Sequence, residues 1–371
     1  MRRPLPEILS DAELRELHVQ DQRWTAAAHL QRLHWSRERI AQERRRRLRE
    51  LVTTAQERSP WHRRRLAGLD PTTLEEDDLC GLPVMTRDDV MANFDEAVTD
   101  QRLTLSRVEN HLAGLGSKPR YLFEHYQPVV SSGPSGARAV FVYDWPGWAA
   151  CYAGAFRYLI RDRGGQPISI AVVGAASAPH IARAILDTFS DPAVIRIHQV
   201  PISLPAARIA ARLNELRPDT LFTCPSALLE LINGASAVKL TFTPRTVIAA
   251  GDPVPADIRQ AAESVLGATV LNWWVGSEAG PIAIGCGHGP SMHVSDDLIV
   301  LEAVDEHGAR VPAGVRSAKV LLTILYNHAL PLIRYELTDQ VTLLDGMCPC
   351  GSTHTLVEGV GSRSRQRVPA S

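Results

Sequence analysis

From about residue 127 to residue 271, short β-branched or apolar runs alternate with amphipathic stretches, and this alternation is the strongest constraint on the fold. The strand-like runs are Gln127–Val130, Ala139–Tyr143, Ile168–Val173, Val194–Val200, Thr220–Thr223, Arg245–Ala250 and Thr269–Leu271. The helical stretches are Pro146–Ile160, His180–Phe189, Pro205–Leu216, Ser226–Asn233 and Pro255–Leu266. Strands joined through helices run parallel, and helices must cover both faces of such a sheet. The class expected is therefore α/β, a layered sandwich around a largely parallel sheet.

The flanks read differently. In the first hundred residues, Leu14, Leu17, Trp24, Leu30, Leu33, Ile40, Leu48 and Leu51 recur at helical spacing among many charges. The run Arg44–Arg47 invites a nucleic-acid reading, but Glu38, Glu43 and Glu50 on neighbouring turns and the lack of interleaved aromatics favour a solvated, ion-paired face. After residue 280, Leu298–Val304, Ala318–Leu325 and Val341–Leu344 are strand-like runs between Gly and Pro turns. The expected division is a helical region 1–100, an α/β core 101–280, a small β-rich subdomain 281–365 and a tail 366–371. Lysine and arginine total 40 against 41 aspartates and glutamates, for a net charge of -1. Neither a nucleic-acid nor a membrane partner follows from that balance. With no long apolar run and no apolar stretch after the basic first residues, the location expected is cytoplasmic.

Four segments carry candidate chemistry. Ser131-Ser132-Gly133-Pro134-Ser135-Gly136 lies between two strands, and its small residues would let backbone N–H groups approach phosphate oxygens, though taken by itself a plain turn is the better reading. Gly251-Asp252-Pro253 follows a strand, where open sheets bind ligands; Asp252 also suits a helix N-cap. Trp273-Trp274 offers flat apolar walls for a planar ligand, and Ser277-Glu278 can hold Mg²⁺ beside phosphates. Asp339 can accept two ribose hydroxyls, with Arg334 available to balance a phosphate or carboxylate. Six cysteines in a chain of this size form no disulfide framework. Cys286, Cys348 and Cys350, with His288, His293 and His354 near them, have the ligand types of a structural zinc site.

In order and spacing, from about Ser59 to Arg365, these segments resemble the acyl-adenylate-forming superfamily, and within it the phenylacetate–CoA ligase-like branch. Ser59–Leu66, Leu82–Val90 and Leu213–Ser226 resemble other stretches of that branch. The resemblance implies the large N-terminal domain of that superfamily, and ATP-dependent activation of a carboxylic acid as its acyl-adenylate, followed by transfer to a thiol, amine or hydroxyl. It implies ATP or AMP contacts at Ser131, Ser132, Gly133, Ser135, Gly136, Gly251, Asp252, Pro253, Trp273, Trp274, Ser277, Glu278 and Asp339. Glu278 with Mg²⁺, Ser132 and His180 would serve the reaction. Small residues at Gly174–Pro179 suggest an aromatic acid. For zinc, the resemblance points to Cys286, His293, Cys348 and Cys350, with His288 as substitute for His293.

The departures matter. Pro134 stands where a hydroxyl residue is usual, and the loop lacks its usual lysine, with Arg138 the nearest cation. Val275 stands where the family has a glycine after the aromatic ring. Arg365 occupies a hinge position that is usually Asp, and the family's C-terminal lid is not among the 371 residues. A separate lid or carrier protein is therefore an expected partner. Two other readings remain open: an acyl-transfer, condensing or cyclising enzyme that uses a pre-activated acyl group, and a degenerate zinc-stabilised binding subunit.

Overall fold

The computed structural model describes residues 10–115, 121–131, 138–161, 163–174, 180–189, 191, 193–233, 240–251 and 254–362. Six helices come first: α1 (Asp11–Arg32), α2 (Arg37–Arg58), α3 (Pro60–Arg65), α4 (Arg87–Ala92), α5 (Phe94–Ala97) and α6 (Leu105–Ala113), with a 3₁₀ turn at Glu76–Gly81. The hairpin β1 (Tyr126–Ser131) and β2 (Ala139–Asp144) leads into α7 (Trp145–Ile160). The alternating region then supplies β3 (Ile168–Gly174), α8 (Ile181–Phe189), β4 (Ile195–Pro201), α9 (Ala206–Leu216), β5 (Thr220–Thr223), α10 (Pro225–Asn233), β6 (Thr246–Ala250), α11 (Ala256–Leu266) and β7 (Thr269–Gly276). Seven strands follow: β8 (Gly280–Gly285), β9 (Met292–Val294), β10 (Ile299–Val304), β11 (Lys319–Ile324), β12 (Tyr335–Leu337), β13 (Asp339–Leu344) and β14 (Leu356–Ser362).

One nine-stranded sheet runs in the order β13-β14-β9-β8-β7-β6-β5-β3-β4. Strands β4, β3, β5, β6 and β7 are parallel, and the rest of the sheet is antiparallel. Period-two alternation explains how it is buried on both faces. Ile170, Val172, Ile248, Leu271 and Trp273 face α7 and α8, whereas Ala171, Val173, Val247 and Val270 face α9, α10 and α11. Because β3 lies between β4 and β5, its connection leaves to one face and that of β5 to the other. That divergence opens a crevice at the carboxyl ends of the strands.

Two expectations change. The strand expected over Thr269–Leu271 runs on to Gly276, because β8 pairs with it from Trp273 onward. Helix α11 is capped at Pro255, not at Asp252. The separate three-stranded sheet holds only β10, β11 and β12, while β8, β9, β13 and β14 join the main sheet.

Helix α7 is apolar on nearly every side and lies between the main sheet and α1. Its one fully buried charge, Arg157, meets Asp297 through two contacts of 2.8 and 3.0 Å, and Arg32 of α1 adds a third at 3.2 Å. The arginine run of α2 is neutralised: Arg44 pairs with Glu76, Arg45 with Glu75, Arg46 with Glu43 and Glu50, and Arg47 with Glu43. Leu48, Leu51, Val52 and Ala55 of the same helix pack on Val300, Leu325 and Ile333, which ties the helical region to the three-stranded sheet. Among the described residues no helix is long and apolar enough to cross a membrane.

Burial alone would raise the pKa of Asp297, but the charge and hydrogen bonds of Arg157 outweigh it and hold the carboxyl well below its usual range. Its stabilising contribution is present above the unfolded pKa of about 3.9 and is lost as pH falls toward the lower folded value. Asp297→Asn, which leaves Arg157 buried and unpaired, should destabilise the protein by ~3–5 kcal/mol at pH 7. Urea unfolding at stepped pH should show that deficit shrinking below about pH 4.

Candidate functional site

The site is built around the three-residue turn between β7 and β8. Gly276 pairs with Gly280, leaving Ser277, Glu278 and Ala279 at the tip. Gly280 has φ +57°, and a Cβ there would strike Cys151 Sγ and the Tyr326 hydroxyl, so this position requires glycine. Three hydrogen bonds hold the tip. The Tyr143 hydroxyl donates to the Ser277 carbonyl at 2.8 Å, the Tyr326 hydroxyl donates to the Ala279 carbonyl at 2.6 Å, and Ser277 Oγ donates to the Val130 carbonyl at 3.0 Å.

The Glu278 carboxylate folds back over Gly276, where an added Cβ would sit 2.8 Å from its Oε1. Burial raises the Glu278 pKa from its ordinary value, and the negative charge of Asp339 raises it further; its own backbone N–H and Arg87 pull it down. Asp339 opens β13, and burial raises its pKa too. The two carboxylates therefore share one electrostatic environment, in which a cation is favoured.

Val130 joins the remaining parts. Its backbone bridges to His180, exposed at the start of α8, and its carbonyl receives Ser277 Oγ. Ser131 ends β1 next to it, and Gly251 directly follows β6 at φ +95°. Ser132, Gly133, Ser135 and Gly136 of the serine-rich loop, and Asp252 and Pro253, lie outside the described residues. Trp273 is engaged in the core, edge-on to Phe156 at 5.3 Å and to Phe222 at 5.8 Å. Trp274, next along the strand, is buried in the same cluster as Trp273, just before the register of β7 with β8 shifts.

Arg334 is a correction. It does not serve a ligand, because its guanidinium is buried, donating to Glu302 Oε2 at 3.1 Å and to the carbonyls of Cys80 and Leu82 at 3.0 and 2.6 Å. Its function is to tie the 3₁₀ turn to the three-stranded sheet. Arg87 is the residue that sequence reasoning missed. It begins α4 behind a Thr86–Asp89 capping box, its charge acts on both Glu278 and Tyr335, and its buried Nη2 makes no hydrogen bond. The signal available was Thr86-Arg87-Asp88-Asp89, which alone reads as a helix start. Arg138 is exposed.

A second centre forms where β8 and β9 meet the loop after β13. Cys286 Sγ, His293 Nε2, Cys348 Sγ and Cys350 Sγ all lie within 4.8 Å of one another. Cys286 Sγ is 3.5 Å from Cys348 Sγ, and Cys350 Sγ is 3.3 Å from His293 Nε2. Tetrahedral Zn²⁺ with bonds of about 2.3 Å to sulfur and 2.0 Å to nitrogen separates its ligands by roughly 3.5–3.8 Å, so the cluster fits a closed four-ligand ion. Burial, His354 and nearby arginines push His293 down to about 4, so its ring is neutral and its nitrogen free to ligate. Burial and neighbouring thiols push Cys286 up to about 12, so a bound cation would have to stabilise its thiolate. Burial also opposes the Cys350 thiolate, but hydrogen bonds from the Ser352 N–H and from Arg161 outweigh it and lower that thiol. His288 is exposed and lies outside the cluster.

No protein-family model matches the chain, and no curated protein matches it by sequence. Solved structures do. An open conformation of 2-hydroxyisobutyryl-CoA ligase in complex with 2-HIB-AMP and CoA is similar, with TM-score 0.70 and 18% identity over 91% of this chain and 78% of that one. The same ligase in its postadenylation state with R3-HIB-AMP gives TM-score 0.70 and 19% identity over 89% of this chain and 69% of that one. The chain thus has the fold of adenylate-forming ligases.

Metal analysis should find one zinc per chain. His293→Ala and Cys348→Ser should each lose it and lower Tm, whereas His288→Ala should keep it. Retention by His293→Ala with loss by His288→Ala would reverse the ligand assignment.

Proposed function

We propose that this chain activates a carboxylic acid with ATP, forming an acyl-adenylate and releasing pyrophosphate, and then passes the acyl group to a thiol. Coenzyme A is the first acceptor to try, since the structural neighbours are CoA ligases. An amine or hydroxyl acceptor is the next. What supports this reading is that the charges of Asp339 and Arg87 act on Glu278, and that Ser277 beside it bonds to the end of β1 that enters the serine-rich loop.

In this reading the acid's oxygen attacks the α-phosphorus in line, and the protein's work is positioning and charge stabilisation. Asp339 accepts the ribose hydroxyls, and Trp274 lies against the base. Glu278 holds Mg²⁺, which when bound neutralises the phosphates. The half-buried carboxylate beside a second negative charge fits that ion. Arg87 contributes a fixed positive charge on the phosphate side, where the loop carries no lysine. His180, at the mouth of the crevice, meets the acid. The acid is aromatic in the reading favoured by the small residues before His180, and a small hydroxy acid belongs in the same panel. The Cys286, His293, Cys348, Cys350 centre holds zinc as a structural staple.

ATP–pyrophosphate exchange with a panel of aromatic and small hydroxy acids tests the proposal. Exchange should be acid-dependent and should fall about 10²-fold or more in Asp339→Ala. No exchange with any acid, even with a lid protein supplied in trans, together with no calorimetric binding of ATP or AMP, would sink it. The electrostatics add a pH signature. Glu278 must ionise to hold Mg²⁺, and its pKa is raised. Activity should therefore rise with pH on the acid side, and that limb should move to lower pH as Mg²⁺ increases. Glu278→Gln should abolish the movement.

A further inference from the structure

A cavity of about 220 Å³ lies at the opposite edge of the main sheet, between the end of α7 and the first residues of β6 and β7. Its walls include Arg161, Arg163, Arg245, Thr246, Thr269 and His288. The three arginines come from two distant stretches of chain. No carboxylate is among the described residues that line the cavity. Among the described residues Arg163 forms an ion pair with Asp219, whose Oδ1 is 3.6 Å from Arg163 Nη1, beyond hydrogen-bond reach. Asp219 is otherwise occupied, since its Oδ2 accepts from the Ser169 N–H at 2.9 Å.

Arg163 Nη2 is buried and makes no hydrogen bond. Burying a guanidinium donor without an acceptor is unfavourable, so this geometry favours an acceptor arriving from outside the chain. Arg161 is held in place: it lies over the Tyr158 ring at 5.5 Å and reaches the Cys286 carbonyl at 3.5 Å. Arg245 is exposed, and no ion pair or hydrogen bond of its side chain is found among the described residues. The cavity thus has one anchored cation, one half-buried cation whose ion pair leaves a buried donor unused and one accessible cation, with threonine side chains beside them.

We propose that this cavity is a binding site for a phosphate-class oxyanion, either free phosphate or the terminal group of a phosphomonoester. Guanidinium groups match the oxygens of such an anion in paired hydrogen bonds, and threonine hydroxyls add donors. The volume equals roughly seven waters at ~30 Å³ each, enough for one phosphate with part of its shell. The site is separate from the Glu278 cleft. Strand β7 starts at this cavity with Thr269 and reaches the turn before Glu278 at Gly276, roughly 23 Å away at ~3.3 Å per residue. The proposal therefore stands independently of the adenylation reading.

Calorimetry on the full, zinc-loaded chain tests it, with inorganic phosphate and glycerol phosphate as probes at constant ionic strength set by NaCl. Each should bind with a dissociation constant near or below ~1 mM, and the two should compete. Arg245→Ala, at an exposed position that does not threaten folding, should weaken both by at least tenfold. Arg37→Ala and Asp339→Ala should leave binding within twofold, which separates this site from the surface at large and from the nucleotide cleft. Absence of binding, or undiminished binding by Arg245→Ala, would overturn the proposal.

Discussion

The turn at Ser277–Ala279 is the point on which the three sheets depend. Its hydrogen bonds go to Val130 on β1, to Tyr143 on β2 and to Tyr326 just beyond β11. One short segment of the nine-stranded sheet thus fixes both the two-stranded hairpin and the three-stranded sheet. Such a junction cannot shift in one direction without breaking a bond in another. Buried hydroxyl-to-carbonyl bonds contribute about 1 kcal/mol each when made and cost more when one partner is left unsatisfied. Gly280 is the steric counterpart: it admits the Tyr326 hydroxyl and Cys151 where any side chain would exclude them. The rigidity of the Glu278 backbone therefore comes from the packing of the whole domain.

Two further devices hold what this junction leaves free. The Arg157–Asp297 pair joins α7 to the loop after β9, and Arg32 extends it to α1. A buried pair of this kind adds little net stability against an apolar equivalent, but it penalises every arrangement in which one member lacks the other. The Cys286, His293, Cys348, Cys350 cluster joins β8, β9 and the segment before β14. Strand β14 pairs with β9 only at Leu356 and Val357, so the proposed zinc would supply order there that the ladder alone does not.

How much was legible follows from which forces are local. The parallel strands and their helices were readable, because both patterns are written in consecutive residues. The second half of β7 was not: its strand character comes from pairing with β8, whose Gly280-Pro281 start and Gly285 end look like turn residues. Arg334 was misread for a similar reason. Its type suits a phosphate, but Glu302 and the carbonyls that claim it lie far away in sequence. Arg87 was invisible as a cleft residue, since the capping box around it accounts for every neighbour. The convergence of Cys286, His293, Cys348 and Cys350 was legible by residue type, and His288 stands exposed outside that cluster.

The electrostatics of the cleft give direction to these constraints. The charge of Asp339 adds to the cost that burial puts on ionising Glu278, and a fold keeps such an arrangement only where something offsets it. Arg87 offsets part of the cost, yet it leaves a donor unused. The cleft is therefore unbalanced in two ways at once, with excess negative charge at Glu278 and Asp339 and an unsatisfied positive group at Arg87. A ligand carrying both a divalent cation and an anionic chain would settle both. A metal–nucleotide complex has that pair of charges in one molecule, which is the physical ground of the proposed function.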